Sequence, residues 1–149
     1  MLDRFEQFSS AISAIYRDIQ KIEKDEMDRL GYKGAFAQYL VLMRRYPEGL
    51  TAAEICELCD RDKAAVSRVM SEMESKGLVT RSGENAYRAR LMLTELGQDA
   101  AEFVACRAEV AVLEAGKGLS DRDRTIFYES LSLIAANLQI LSEKGLPEP

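Results

Sequence analysis

At 149 residues the chain has room for one domain with a real core, since 47% of its residues are hydrophobic and 30% are charged. No apolar run approaches the ~18 residues of a membrane span, and the opening MLDRFEQFSS lacks the apolar stretch of a secretory leader. An odd number of cysteines (Cys56, Cys59, Cys106) argues against a secreted disulfide framework, so a reduced, cytoplasmic protein is expected.

Phe5, Phe8, Ile12, Ile15, Ile19 and Ile22 recur every three or four residues, which predicts one long helix to about residue 30. Gly31 and Gly34 end it, and AFAQYLVLMRRY forms a second, more fully apolar helix that stops at Pro47-Glu48-Gly49. Thr51, with Glu54 three residues on, reads as a capping box for a short helix whose Ile55 and Leu58 point inward. Asp60-Arg61 make a tight turn. Asp62 then starts a helix with Val66, Val69, Met70 and Met73 as its apolar stripe, and Gly77 supplies a left-handed stop. Leu78 to Arg81 and Tyr87 to Leu93 read as two strands of a hairpin around SGENA. Thr94 caps a long helix to about Ala115, and Gly116 and Gly118 interrupt it. Ser120 caps a last helix carrying Ile126, Phe127, Leu131, Ile134, Leu138 and Leu141.

Helix, tight turn, helix and hairpin is the order of a winged helix-turn-helix. The expected fold is mainly α with a small β-hairpin wing, plus a helical dimerisation region. Packing the valines and methionines leaves Lys63, Ala64, Ser67, Arg68 and Ser71 to face a groove, where serine and arginine reach phosphates or base edges. Net charge supports a local version of this reading. The chain is -5, yet residues 61–90 hold seven basic and four acidic residues, a net +3, which leaves -8 elsewhere. A basic segment in an acidic body suits one face docking on phosphate. The long apolar stripes of the first and last helices exceed what one lobe can cover, and such stripes mark interfaces.

GLTAAEICELCDRDKAAVSRVMSEMESKGLVTR followed by LMLTELG resembles the MarR family of bacterial transcriptional regulators. The shared elements are Gly-Leu-Thr, the Asp-Lys start of the second helix, Val-Ser-Arg within it, Lys-Gly-Leu-Val at its exit and Leu-Thr-x-x-Gly after the wing. The long flanking helices match as well. The resemblance implies a single MarR-type domain over 1–149. Residues 35–93 would form the DNA-binding lobe, and 1–30 with 94–149 the dimerisation region. It also implies a homodimer on pseudo-palindromic double-stranded DNA, a repressor role, and release by a small lipophilic or phenolic effector. The DNA-binding residues expected are Thr51, Lys63, Ala64, Ser67, Arg68, Ser71, Arg81, Arg88 and Arg90. An effector pocket is expected near Tyr16, Tyr32, Phe36 and Tyr39, although aromatic residues at helical spacing also build ordinary cores. Many family members carry Asp-x-Arg or Asp-Arg-Arg in the wing. This chain has Asn85-Ala86-Tyr87 there, which leaves Arg88 as the substitute.

Other readings compete. Cys56-Glu57-Leu58-Cys59 suggests metal or redox chemistry, but zinc needs about four ligands and the chain has no histidine. Cys56 lies beside Ile55, where it packs as a small apolar residue, and oxidant sensing is the alternative. No cofactor and no metal are expected. An enzyme would have to work without histidine, the commonest general base. A winged helix that binds only proteins is the other alternative.

Overall fold

Local signals decide the helices. In the computed structural model, which describes residues 2–83 and 88–147, the order is α1 (Leu2–Arg29), α2 (Phe36–Arg44), α3 (Ala52–Cys59), α4 (Lys63–Ser75), β1 (Val79–Ser82), β2 (Arg90–Leu93), α5 (Glu95–Ala115) and α6 (Asp121–Lys144). No helix is long and apolar enough to cross a membrane among the described residues. The fold is mainly helical with a two-stranded antiparallel hairpin, as expected.

The caps follow from the side chains. Thr51 accepts from the Glu54 amide at 3.2 Å while Glu54 accepts from the Thr51 amide at 2.8 Å, a complete capping box for α3. Asp62 Oδ1 accepts from the Ala65 amide at 2.8 Å and Ser120 Oγ from the Asp123 amide at 3.1 Å, which starts α4 and α6. Thr94 Oγ1 accepts from the Gly97 amide at 3.0 Å and donates to the Gly77 carbonyl, so one hydroxyl ties the start of α5 to the end of α4. At that end Gly77 has φ +74°, and the Leu78 amide donates back to the Met73 carbonyl at 2.9 Å. Leu78 therefore closes a helix rather than beginning a strand, and β1 starts one residue later than expected.

The chain divides into two compact units, residues 1–109 and 110–149. In the first, Met27 of α1, Phe36, Tyr39, Leu40 and Met43 of α2, Ile55 of α3 and Val66, Met70 and Met73 of α4 meet in one core. Leu78, Val79, Leu91, Ala100, Ala101 and Val104 complete it. Gly97 is required here: a Cβ would lie 2.0 Å from the Leu78 carbonyl oxygen, so only glycine lets α5 approach β1. In the second unit no residue of α6 is buried.

Three details depart from the sequence reading. Leu58 is 49% exposed, because α3 turns Ile55 into the core and sets Cys56 and Cys59 against its edge instead. β2 begins at Arg90, so Arg88 and Ala89 precede the strand, and the Tyr87 end of the expected strand lies outside the described residues. Leu50 pairs with Leu91 through two backbone hydrogen bonds of 3.0 and 2.8 Å, an isolated antiparallel bridge that ties β2 to the segment before α3.

Candidate nucleic-acid interface

Helix α4 buries Val66, Met70 and Met73 and exposes Lys63, Ala64, Ser67, Arg68 and Ser71 on the opposite side. That spacing is one face of a 3.6-residue helix. Arg68 has no hydrogen-bond or ion-pair partner among the described residues, so its guanidinium is available to an external acceptor. Ala64 and the two serines around it keep the face low enough for close approach.

Thr51 and the wing cations stand differently. The Thr51 hydroxyl is occupied by the capping box, and Glu54 is held below the usual carboxylate range by the Thr51 hydrogen bonds and the nearby Arg90 charge, against the opposing effect of burial. Arg90 donates to the Gly49 carbonyl at 2.7 Å and lies 4.0 Å from Glu54, so it fastens β2 to the turn before α3. Arg81 donates to Glu74 of α4 at 2.9 Å. Arg88 is exposed, with no partner among the described residues. Asn85, Ala86 and Tyr87, where the family's wing signature would lie, fall outside the described residues.

The four aromatic residues expected in an effector pocket stand in different surroundings. Tyr39 and Phe36 belong to the core, while Tyr16 is 56% exposed on α1 and accepts from Gln20. Tyr32 and Phe36, ring centroids 6.4 Å apart, border a cleft with Lys33, Glu72, Ser75 and Lys76. A second cleft of about 450 Å³ was not anticipated. Ile22, Val41, Leu42, Leu58 and Val104 wall it, with Glu23, Glu26, Arg45, Cys59 and Arg107 among its polar lining. Burial pushes the Glu23 carboxyl up. Glu26 receives two hydrogen bonds from Arg107, of 2.8 and 3.2 Å. No local sequence signal pairs residues 81 positions apart.

All three cysteines are free thiols. Cys56 and Cys59 are half-buried against the core, and burial pushes the Cys59 thiol up, which disfavours the reactive thiolate.

Residues 30–89 match the model of the MarR family. The match covers this lobe, about two fifths of the chain. Members of the MarR family are transcription regulators rather than enzymes. The fold extends the likeness beyond the lobe. A MarR family transcriptional regulator from Listeria monocytogenes, solved with a 26mer DNA, is 20% identical over 94% of this chain and 96% of its own, with a TM-score of 0.78. The MarR family transcription regulator SP03579 is 19% identical over 97% of this chain and 96% of its own, with a TM-score of 0.85. MepR of S. aureus, solved with DNA, is 17% identical over 88% of this chain and 97% of its own, with a TM-score of 0.78. No curated protein matches the chain.

Proposed function

We propose that this chain is a MarR family regulator, a sequence-specific DNA-binding repressor that acts as a homodimer in the cytoplasm. The observation that carries the reading is the outer face of α4, where Lys63, Ala64, Ser67, Arg68 and Ser71 stand exposed opposite a valine and methionine stripe. That face enters the major groove, with Arg68 placed to reach a base edge or phosphate and Arg88 as the cation of the wing. Two related structures hold DNA, which supports the same partner here. Arg81 reaches α4 through Glu74, while Thr51 and Arg90 fasten the start of α3 through Glu54 and the Gly49 carbonyl.

The terminal helices, residues 1–30 and 94–149, form the dimerisation region. Phe5 of α1 is 70% exposed and Leu133 of α6 is 63% exposed, in stripes whose apolar area favours a second copy. Two copies present two α4 helices about one turn of DNA apart, so the operator is an inverted repeat with half-sites roughly 10 bp between centres. Release by a small lipophilic or phenolic effector fits the cleft under α1, α2 and α5. Its aliphatic walls suit a ring, and Glu23 can accept from a hydroxyl.

Selection of bound duplexes from a random pool tests this reading. An inverted repeat with steep salt dependence is expected, because phosphate contacts release counterions. On the selected operator Arg68→Ala should cost about 1–3 kcal/mol if Arg68 reads a base. A pool with no enriched sequence would favour the protein-interaction alternative.

A further inference from the structure

Helix α4 carries two acidic residues beside its proposed DNA face, an odd feature for an element meant to approach phosphate. Their partners explain them. Lys33, in the connector between α1 and α2, donates to Glu72 at 2.6 Å. Arg81, in β1, donates to Glu74 at 2.9 Å. At about 100° of turn per residue, Glu72 projects roughly 100° to one side of Ser71 and Glu74 about 60° to the other. The two acids therefore flank the outward face on opposite edges, and each is gripped by a different neighbouring element.

We propose that Glu72 and Glu74 are positioning residues: their ion pairs with Lys33 and Arg81 set the rotation of α4 about its own axis, and so decide which of Ala64, Ser67, Arg68 and Ser71 meet base edges. The valine and methionine stripe alone leaves this angle soft. Methionine is unbranched and adapts to several packings, and two of the three buried residues of the stripe, Met70 and Met73, are methionines. A small roll would move Arg68 off its base edge while leaving the core filled. Both pairs are partly exposed, with side-chain exposures of 67% and 43% for Lys33 and Glu72 and 34% and 39% for Arg81 and Glu74. Such pairs add little to stability, so their removal leaves the fold standing and exposes the positional effect. The arrangement also reassigns Arg81, which serves DNA reading through Glu74 rather than by direct contact.

The inference rests on the DNA-binding reading, and the experiment separates the two. Wild type, Glu72→Gln, Glu74→Gln and the charge-reversed pair Lys33→Glu with Glu72→Lys are titrated with the selected operator and with operators altered at one base pair. Salt is varied throughout, and thermal melts check that each variant is folded. Wild type should discriminate by about tenfold or more per altered base pair. Each single variant should lose most of that discrimination with an unchanged salt slope, and the reversed pair, which restores the bridge at the same net charge, should recover it. A different result follows if the acids merely repel phosphate. The single variants would then bind every duplex more tightly with discrimination intact, and the proposal is overturned. Intact discrimination at unchanged affinity overturns it as well. A wild type that binds none of these duplexes removes the DNA-binding reading itself, and the positioning role falls with it.

Discussion

The lobe around α4 and the helices at the two ends of the chain use their apolar residues in opposite ways. In the lobe, Phe36, Leu40, Ile55, Val66, Met73 and Leu91 are almost wholly buried. Along α1 the residues Phe5, Phe8, Ile12, Ile15, Ile19 and Ile22 are all exposed, and in α6 so are Ile126, Phe127, Leu133, Ile134 and Leu138. Both regions are apolar and periodic, so composition does not separate them. The lobe satisfies its stripes within residues 1–109, whereas each terminal helix keeps a stripe for something outside itself. Exposure of this extent supports the proposed assembly, because isolated apolar residues are ordinary on a surface but aligned rows are not.

The largest effect should come from attacking the open stripe. Ile12→Asp places a charge where a second copy would bury it, and an unpaired buried charge costs on the order of 3–5 kcal/mol. Light scattering should show the dimer lost at micromolar concentration, and operator affinity should fall with it. A variant that is monomeric yet binds the operator as tightly as wild type would break the link between assembly and function.

Concentration sharpens the comparison. Leu40→Ala in the lobe should cost about 2–5 kcal/mol whatever the protein concentration, because the cavity lies within one chain. Leu138→Ala should cost less, and only where the dimer forms, since association contributes to stability by mass action. Denaturant titrations at two concentrations a hundredfold apart read the difference. Equal, concentration-independent losses would mean that α6 is packed within its own chain.

These contrasts also show what the sequence made legible. The caps at Thr51, Asp62, Thr94 and Ser120, the stop at Gly77 and the stripe of α4 are written in residues a few positions apart, and the structure repeats them. The outer face of α4 followed directly, since burying one stripe defines the opposite one. What stayed hidden depends on distant partners. Leu50 meets Leu91, Arg90 meets Gly49, Lys33 meets Glu72 and Glu26 meets Arg107, each across about forty residues or more. Leu58 misled because a helix of only eight residues offers two apolar edges, and its spacing from Ile55 does not say which one the core takes. The aromatic set is divided by the same kind of distant packing: Tyr39 and Phe36 fill the core, while Tyr16 stays outside it.

A smaller effect is expected at the cap that joins the lobe's helices to its wing. Thr51→Ala removes the hydroxyl accepting from the Glu54 amide and should cost about 0.5–2 kcal/mol in denaturant unfolding. It also loosens Glu54, which stands 4.0 Å from Arg90. Hydrogen exchange should therefore quicken at Leu50 and Leu91 along with the first turn of α3. Faster exchange confined to α3 would show that the cap and the wing root are independent.

The subtlest test lies where α1 stops being an open stripe and joins the lobe. Glu26 is only 7% exposed, next to the fully buried Met27, and Arg107 of α5 donates to both of its oxygens. The Arg107 hydrogen bonds hold its carboxyl below the ordinary 4.5, burial opposes them, and the charges of Arg107 and Arg29 add to the lowering. A carboxyl that is more acidic in the folded chain than in the unfolded one stabilises the fold above the unfolded value. That contribution is lost as pH falls through the folded value. Glu26→Gln keeps the shape of the side chain and removes its charge. At neutral pH the variant should be less stable than wild type, and the gap should hold until pH approaches 4.5 and then close as wild-type Glu26 takes up its proton. Denaturant midpoints measured for both proteins through that range read the gap directly. A gap that stays constant into acid would mean that Glu26 acts through packing and hydrogen-bond geometry alone, and that its charge does not help to fasten α1 to α5.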